Sequence, residues 1–343
     1  MSNRLGKGIL ERLDGARLNA ATYRVHGLDT TVYADNHLLA LAIQDFLRSF
    51  RDMPAGESDM EFYLLTMEEG DDRGYGVGDQ AGEGELLYDW QVLRYRSQGQ
   101  LRYQEVPGGG SVIADPEGGL AVAFVDSEIA ACSWSIAHVI FFPIWAQMLK
   151  ARGIFPVHAA GLERDGMGIL FPGRSNCGKS TLAFHLLRHG YKLLGDDTIF
   201  IRRGEAAPEL LFFPEEVDVC AETVDLYPSL ALARNLTEDR WQPKARVNLN
   251  EIGPNSVVES SPARLLIFPV IASDGKTRYE RVNPTEALAE LILYAFLFMD
   301  PETSKENFSL LAGLVQSVRC YRLYMGRDGT ELAAAVDEIA AAV

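Results

Sequence analysis

The sequence predicts an α/β (α+β) chain in two parts: a small β-rich N-terminal domain over residues 1–126, and a larger domain over 127–343 built around a glycine-rich strand–loop–helix. Three observations carry this. Short alternating apolar runs separated by Gly, Pro and acidic turns fill Thr22 to Asp126, the pattern of strands with one buried face. At about Ser127 the pattern changes to a long apolar helical stretch. Further on, Gly173-Arg174-Ser175-Asn176-Cys177-Gly178-Lys179-Ser180 sits between the apolar run GILF and the helical pattern TLAFHLL, so a strand leads in and a helix leads out.

In the N-terminal part, TYRVHGL and TTVYAD read as strands, and NHLLALAIQDFLRSF as an amphipathic helix capped by Asn36. EFYLLTM follows as a strand. WQVLRYRS and QLRYQEV form a hairpin turning at Gln98-Gly99, and SVIAD and LAVAFVD form another around Pro-Glu-Gly-Gly. Together these predict a small antiparallel sheet, and EEGDDRGYGVGDQAGEGE reads as a solvated loop.

In the second part a helix runs from Ser127 toward Arg152, and GIFPVHAAGLERDGMGILFPG gives two strands around a charged turn. TLAFHLLRH is a helix stopped by Gly190, and YKLLGDDTIFI is a strand turning at Arg203-Gly204. LLFFPEEVDV and ARLLIFPVI add strands. A helix, ALAELILYAFLF, follows Asn283-Pro284; the strand VRCYRLYMG and the helix ELAAAVDEIAAAV end the chain. The length of 343 residues suits two domains, and no repeat of fixed period is present.

Composition narrows the function. Hydrophobic residues make up 47% and charged residues 23%, as in folded soluble chains. Lys plus Arg total 32 against 48 Asp plus Glu, a net charge of -16, which argues against broad contact with nucleic acid or an anionic membrane. Cys132, Cys177, Cys220 and Cys320 lie far apart with no CxxC pair, so neither a zinc ribbon nor a disulfide framework is expected. The N-terminus has no long apolar run of the secretory kind, and the window Ile136 to Leu149 is too short to span a bilayer. A cytoplasmic protein is expected, with no nucleic-acid or membrane partner and with homo-oligomerisation left open.

The glycine-rich segment satisfies GxxxxGK[ST]. Its glycines let backbone N–H groups curl around phosphates, Lys179 reaches the β and γ oxygens, Ser180 offers a hydroxyl to Mg²⁺, and the helix N-terminus adds its dipole. Gly173 through Gly178, with Lys179, Ser180 and Thr181, are therefore the expected nucleotide site, with ATP and Mg²⁺ as cofactors. Asp196-Asp197 follows the apolar run YKLL; adjacent carboxylates repel unless a cation or a shared proton intervenes, and a solvated turn is the alternative. Successive strand residues point to opposite sides, so the two aspartates are expected to have different roles. His158 in PVHAAGL is a further candidate, although a lone His beside small residues is more often structural. His185 and His189 stand i and i+4 on the loop's helix, with no third ligand motif to make them a metal pair. Arg240, Lys244 and Arg246 cluster in an otherwise acidic chain, as phosphate contacts or as a solvated face.

Taken together, HAAG, then FPGRSNCGKST, then GYKLLGDD resemble the catalytic core of the HPr kinase/phosphorylase family. The resemblance spans roughly Phe155 to Ile201 and is fainter through LLFFPEEVDV, PKARVNL, PARLLIFPVI and YRLYMGRDG. It implies the fold shared with ATP-dependent phosphoenolpyruvate carboxykinases, a P-loop on a mixed sheet. It also implies a Mg-ATP-dependent kinase acting on a hydroxyl of a protein, peptide or small molecule. In that reading Asp196 is the base, His158 tunes it, Lys179 holds the phosphates, and Asp197 binds the metal with Ser180. Three features depart from the family: its GKSE is Gly178-Lys179-Ser180-Thr181 here, the Gly after the histidine is Ala159, and no RGLG-type segment follows the aspartates. HPr itself is therefore not assigned as the acceptor. Alternatives are phosphorolysis or hydrolysis of a phosphoserine at the same site, and a nucleotide-dependent binding module without phosphotransfer. A carboxykinase lacks the additional His, Lys and Arg ligands it would need.

Overall fold

The computed structural model describes Ile9 and residues 13–50, 52–53, 58–67, 85–90, 93–213, 217–219, 245–247, 256–295 and 301–343. It shows a mixed α/β chain with two mixed sheets. The chain divides into two units, Met1–Arg152 with Phe298–Thr303, and Gly153–Leu297 with Ser304–Val343.

The first unit contains β1 (Asn19–Val25), β2 (Leu28–Ala34), α1 (His37–Phe46), β3 (Asp52–Met53), β4 (Met60–Thr66) and β5 (Glu85–Trp90). It continues with β6 (Leu93–Gln98), β7 (Leu101–Val106), β8 (Gly110–Asp115) and β9 (Leu120–Val125). Asn36 caps α1 as expected, its Oδ1 accepting from the Leu38 N–H at 2.8 Å. The β6–β7 and β8–β9 hairpins also form in the expected segments. The sheet is neither small nor purely antiparallel, however: nine strands run in the order β3-β1-β2-β4-β9-β8-β7-β6-β5, with β2–β4 and β4–β9 parallel. The chain between β2 and β4 carries α1, and that between β4 and β9 carries four strands, so each connection returns the chain to the end from which it started. Alternation of apolar residues is the same for either strand direction and does not report it. Residues 68–84 of the expected acidic loop lie outside the described residues.

The stretch after β9 is not one α-helix. Short turns at Ser127–Ala130 and Ser133–Ser135 lead into a π-helical run, Ile136–Phe141, and regular α-helix resumes only at α2 (Phe142–Lys150). Pro143 supplies a reason: it has no N–H for the Val139 carbonyl and its ring crowds the preceding turn, so the backbone widens ahead of it. Gln104 on β7, itself fully buried, meets the carbonyls this leaves without helical partners, its Nε2 donating to Val139 O at 2.7 Å and Ile140 O at 3.3 Å. Fully buried Trp145 donates to Thr30 Oγ1 at 3.2 Å, and the Arg152 guanidinium donates to the carbonyls of Asp59, Pro116 and Met148. These contacts bind the helical stretch to the first sheet, so the division falls at Arg152/Gly153 rather than at 126/127.

The second unit holds β10 (Ile154–Arg164), β11 (Met167–Pro172), α3 (Lys179–Arg188), β12 (Lys192–Gly195), β13 (Thr198–Arg202) and β14 (Glu209–Leu211). After β15 (Val217–Val219) and β16 (Ala245–Val247) come β17 (Ser260–Ile271), β18 (Arg278–Arg281), α4 (Pro284–Ile292), α5 (Pro301–Ser317), β19 (Arg319–Met325) and α6 (Gly329–Ala341). The main sheet is ordered β11-β10-β13-β14-β17-β19-β18; β12 pairs with β10, and β17 pairs back with β11. Pairing therefore closes a ring through β10, β13, β14, β17 and β11. Side chains alternate between two cores: Phe155, Val157 and Ala159 pack with Leu311 and Leu314 of α5, whereas Leu162, Ile169 and Phe171 pack with Leu182 and Leu186 of α3 and Val336 of α6. Helix α5 and strand β18 are additions to the expected elements. Among the described residues no helix is long and apolar enough to cross a membrane.

Gln104→Leu should lower the unfolding free energy by about 1–3 kcal/mol, because it strips the donor from buried carbonyls. Urea denaturation checks this, and an unchanged midpoint contradicts the role given to Gln104.

Candidate functional site

Strand β10 organises the site. Ala159 to Gly161 pair with Pro172, Phe171 and Leu170 of β11 on one edge, and from Gly161 onward β10 also pairs with β12, Gly161 opposite Gly195. Just before this, Val157 and His158 pair with Ile199 and Thr198 of β13. Asp196-Asp197 is the break between β12 and β13, so YKLLGDDTIFI is two strands rather than the single one expected. Gly195 permits the break: a Cβ there would lie 2.8 Å from the Thr198 carbonyl oxygen and 2.9 Å from that of Phe213. The break sends the carboxylates in opposite directions. Asp196 is 3% exposed, whereas the Asp197 side chain is 61% exposed.

From the end of β11 the chain runs through Gly173 to Gly178 into α3. Asn176 and Gly178 take left-handed φ values of 63° and 94°. Gly178 is the N-cap of α3, and a Cβ there would also stand 2.7 Å from Met325 Cε, so glycine is required by conformation and by space together. The first-turn N–H groups of a helix, with its dipole, favour an anion at this end.

Lys179, the first residue of α3, is only 5% exposed. Its Nζ donates to Gly173 O at 2.9 Å and Arg174 O at 3.1 Å, and lies 3.1 Å from His158 Nε2. An ammonium has donors only, so Nε2 accepts and the ring proton sits on Nδ1. Nδ1 stands 3.4 Å from Asp197 Oδ1. Lysine, imidazole and carboxylate thus form one line.

This corrects the expected pairing of His158 with Asp196. His158 is in register with Thr198, and the Ala159 N–H donates to the Asp197 carbonyl at 3.1 Å, which brings Asp197 to the imidazole. Around the loop, Arg174, Ser175 and Asn176 are exposed, while Cys177, Ser180 and Thr181 are half-buried. A Cβ at Gly173 would lie 2.5 Å from Cys177 Sγ, so the thiol folds back over the start of the loop. Tyr294 is a neighbour that sequence reasoning missed, because it sat inside an apolar helical run with nothing to mark it. Its carbonyl accepts from the His158 N–H at 2.8 Å. Burial raises its phenol above the usual range, Glu290 and Cys177 push the same way, and a hydrogen bond with Arg174 opposes them.

The remaining candidates stand apart. His185 is buried against Gly329, where a Cβ would come 2.1 Å from His185 Nδ1, and His189 Nδ1 lies 2.8 Å from the His185 carbonyl oxygen. Among the described residues, no group of three or more His, Cys, Asp or Glu is placed to hold a metal ion. Arg240, Lys244 and the Arg246 side chain lie outside the described residues.

No family model matches the sequence. A stretch of 67 residues, 18% of the chain, is 36% identical to an HPr kinase/phosphorylase of Peptoclostridium acidaminophilum, and the chain spans 22% of that protein's length. Among solved structures, the Hpr(Ser) kinase/phosphatase from Coxiella burnetii aligns at 14% identity and a TM-score of 0.31, covering 54% of this chain and 95% of the other.

Burial holds the His185 imidazole below its ordinary value of 6.5; His189 and Arg188 act in the same direction, and Asp328 opposes them. The folded state therefore keeps the ring neutral while the unfolded chain takes up a proton, so stability is present above about pH 6.5 and lost as the pH falls below it. Thermal unfolding from about pH 7.5 down to 5.5 should show a decline in Tm that His185→Gln flattens. Parallel curves for the two proteins would contradict this.

Proposed function

We propose that the chain is a Mg-ATP-dependent phosphotransferase that moves the γ-phosphoryl group to a hydroxyl of a protein, peptide or small molecule. The observation that carries this reading is the Lys179–His158–Asp197 line beside the glycine loop. A loop that only bound phosphate would need the lysine but neither the imidazole nor the exposed carboxylate. The 67-residue similarity to an HPr kinase/phosphorylase supports the same class of chemistry.

In this reading the loop N–H groups and the N-terminus of α3 cradle the phosphates, and Lys179 exchanges loop carbonyls for β and γ oxygens. Asp197 takes the acceptor's hydroxyl proton as that oxygen bonds to the γ-phosphorus. The bond from phosphorus to the β–γ bridging oxygen breaks, leaving ADP. His158 accepts from Lys179 at Nε2 and places Nδ1 3.4 Å from Asp197 Oδ1, close enough to position that carboxylate. The donor set suits magnesium, since the Ser180 hydroxyl and the Asp196 carboxylate are hard oxygens of the kind that ion takes alongside water and phosphate. Ser180 and Asp196 would hold it; when bound, it neutralises charge on the phosphates.

Mg-ATP should raise the melting temperature of the wild type, and Lys179→Ala should lose that shift. Asp197→Asn should keep Mg-ATP affinity and lower phosphoryl transfer by roughly 10² to 10⁴, the range for losing a general base. Asp196→Asn should instead weaken the dependence of binding on Mg²⁺. Transfer is read with γ-labelled ATP and a lysate from the protein's own source. The absence of both a thermal shift and a labelled product contradicts the proposal.

A further inference from the structure

The two sides of the glycine loop differ in chemistry. β11, which feeds the loop, has β10 on one edge and β17 on the other. His158 and its partners Lys179 and Asp197 belong to the β10 side. On the other side β17 and β19 run parallel to β11 and end in register, Ile271 opposite Met325. The carboxyl ends of three parallel strands therefore meet at the loop, where ligands bind in sheets of this kind.

Gly178 measures how closely these residues approach the loop. A Cβ there would lie 2.7 Å from Met325 Cε and 4.0 Å from Ile271 Cγ1. Met325 is 7% exposed and closes the floor, whereas Ile271, at the end of a largely buried strand, is 62% exposed. An isolated exposed isoleucine needs no explanation. This one stands beside the start of the phosphate-binding helix, with apolar surface open to a neighbour.

A nucleoside triphosphate is elongated, with its reactive phosphate at one end and its base at the other. If Lys179 and Asp197 fix the reactive end on the β10 side, the base falls toward β17 and β19. We propose that Ile271, backed by Met325, seats the nucleobase by contact with its flat apolar face. The inference rests on the nucleotide-binding reading of the glycine loop and adds the subsite that reading leaves open.

Calorimetry on the full chain compares Mg-ATP with magnesium tripolyphosphate, which keeps three phosphates and lacks the nucleoside. The wild type should bind ATP more tightly than tripolyphosphate. Ile271→Ser should weaken ATP by roughly fivefold to tenfold, as expected for losing contact with one aliphatic side chain, and leave tripolyphosphate affinity unchanged. Because Ile271 is exposed, the variant should melt with the wild type. ATP affinity unchanged in Ile271→Ser but lost in Lys179→Ala overturns the base seat and leaves the loop reading intact. Equal losses for ATP and tripolyphosphate in Ile271→Ser also overturn it, since the residue would then be shaping the loop. A wild type that binds neither ligand overturns both readings.

Discussion

A buried ammonium must have acceptors for its protons, and the second unit's site is arranged around that demand at Lys179. Two of its acceptors are the carbonyls of Gly173 and Arg174, which requires the chain leaving β11 to turn back on itself; the third is the His158 imidazole, which requires β10 to run beside β11. The left-handed residues Asn176 and Gly178 make the turn possible. Two of the three acceptors are loop carbonyls and the third is a ring nitrogen on a neighbouring strand, so the lysine ties the loop to β10.

The imidazole extends this constraint across the sheet. With Nε2 committed to Lys179, the Nδ1 proton faces Asp197, and the break at Gly195 keeps that carboxylate in the open while its neighbour is buried. From Gly161 onward β10 is paired on both edges, with β11 on one side and β12 on the other. A Cβ at Gly161 would meet Ile199 Cδ1 at 2.5 Å, so the close strand approach that holds the site also restricts what can occupy its floor.

Local chemistry was legible in the sequence. The Asn36 cap, the two hairpins and the strand–loop–helix at Gly173 to Ser180 are each specified within a few residues, and each forms as read. That Asp196 and Asp197 differ was expected from strand periodicity, but both lie between β12 and β13, and it is the break there that buries one and exposes the other. Which of them meets His158 was not legible, because that depends on the register between β10 and β13 rather than on either segment alone. Strand direction in the first sheet escaped for a similar reason. Pro143 was visible, yet the helix was read through it, since the compensating donor, Gln104, lies on a distant strand. β18 was missed because its four residues are all exposed and show no alternation, and α5 because its first turns, PETSKEN, are polar. ARLLIFPVI read as a strand with nothing to set Ile271 apart; its exposure appears only once β17 is seen to end at the loop.

Lys179, His158 and Asp197 stand in one contiguous series, with Nζ hydrogen-bonded to Nε2 and Nδ1 3.4 Å from Oδ1. Nitrogen NMR of the His158 ring in labelled protein, at a pH where the ring is neutral, tests it most directly. The proton is expected on Nδ1 with Nε2 as acceptor, and that preference should be lost in Lys179→Ala. A ring protonated on Nε2, or one whose tautomer is indifferent to removal of Lys179, would contradict it.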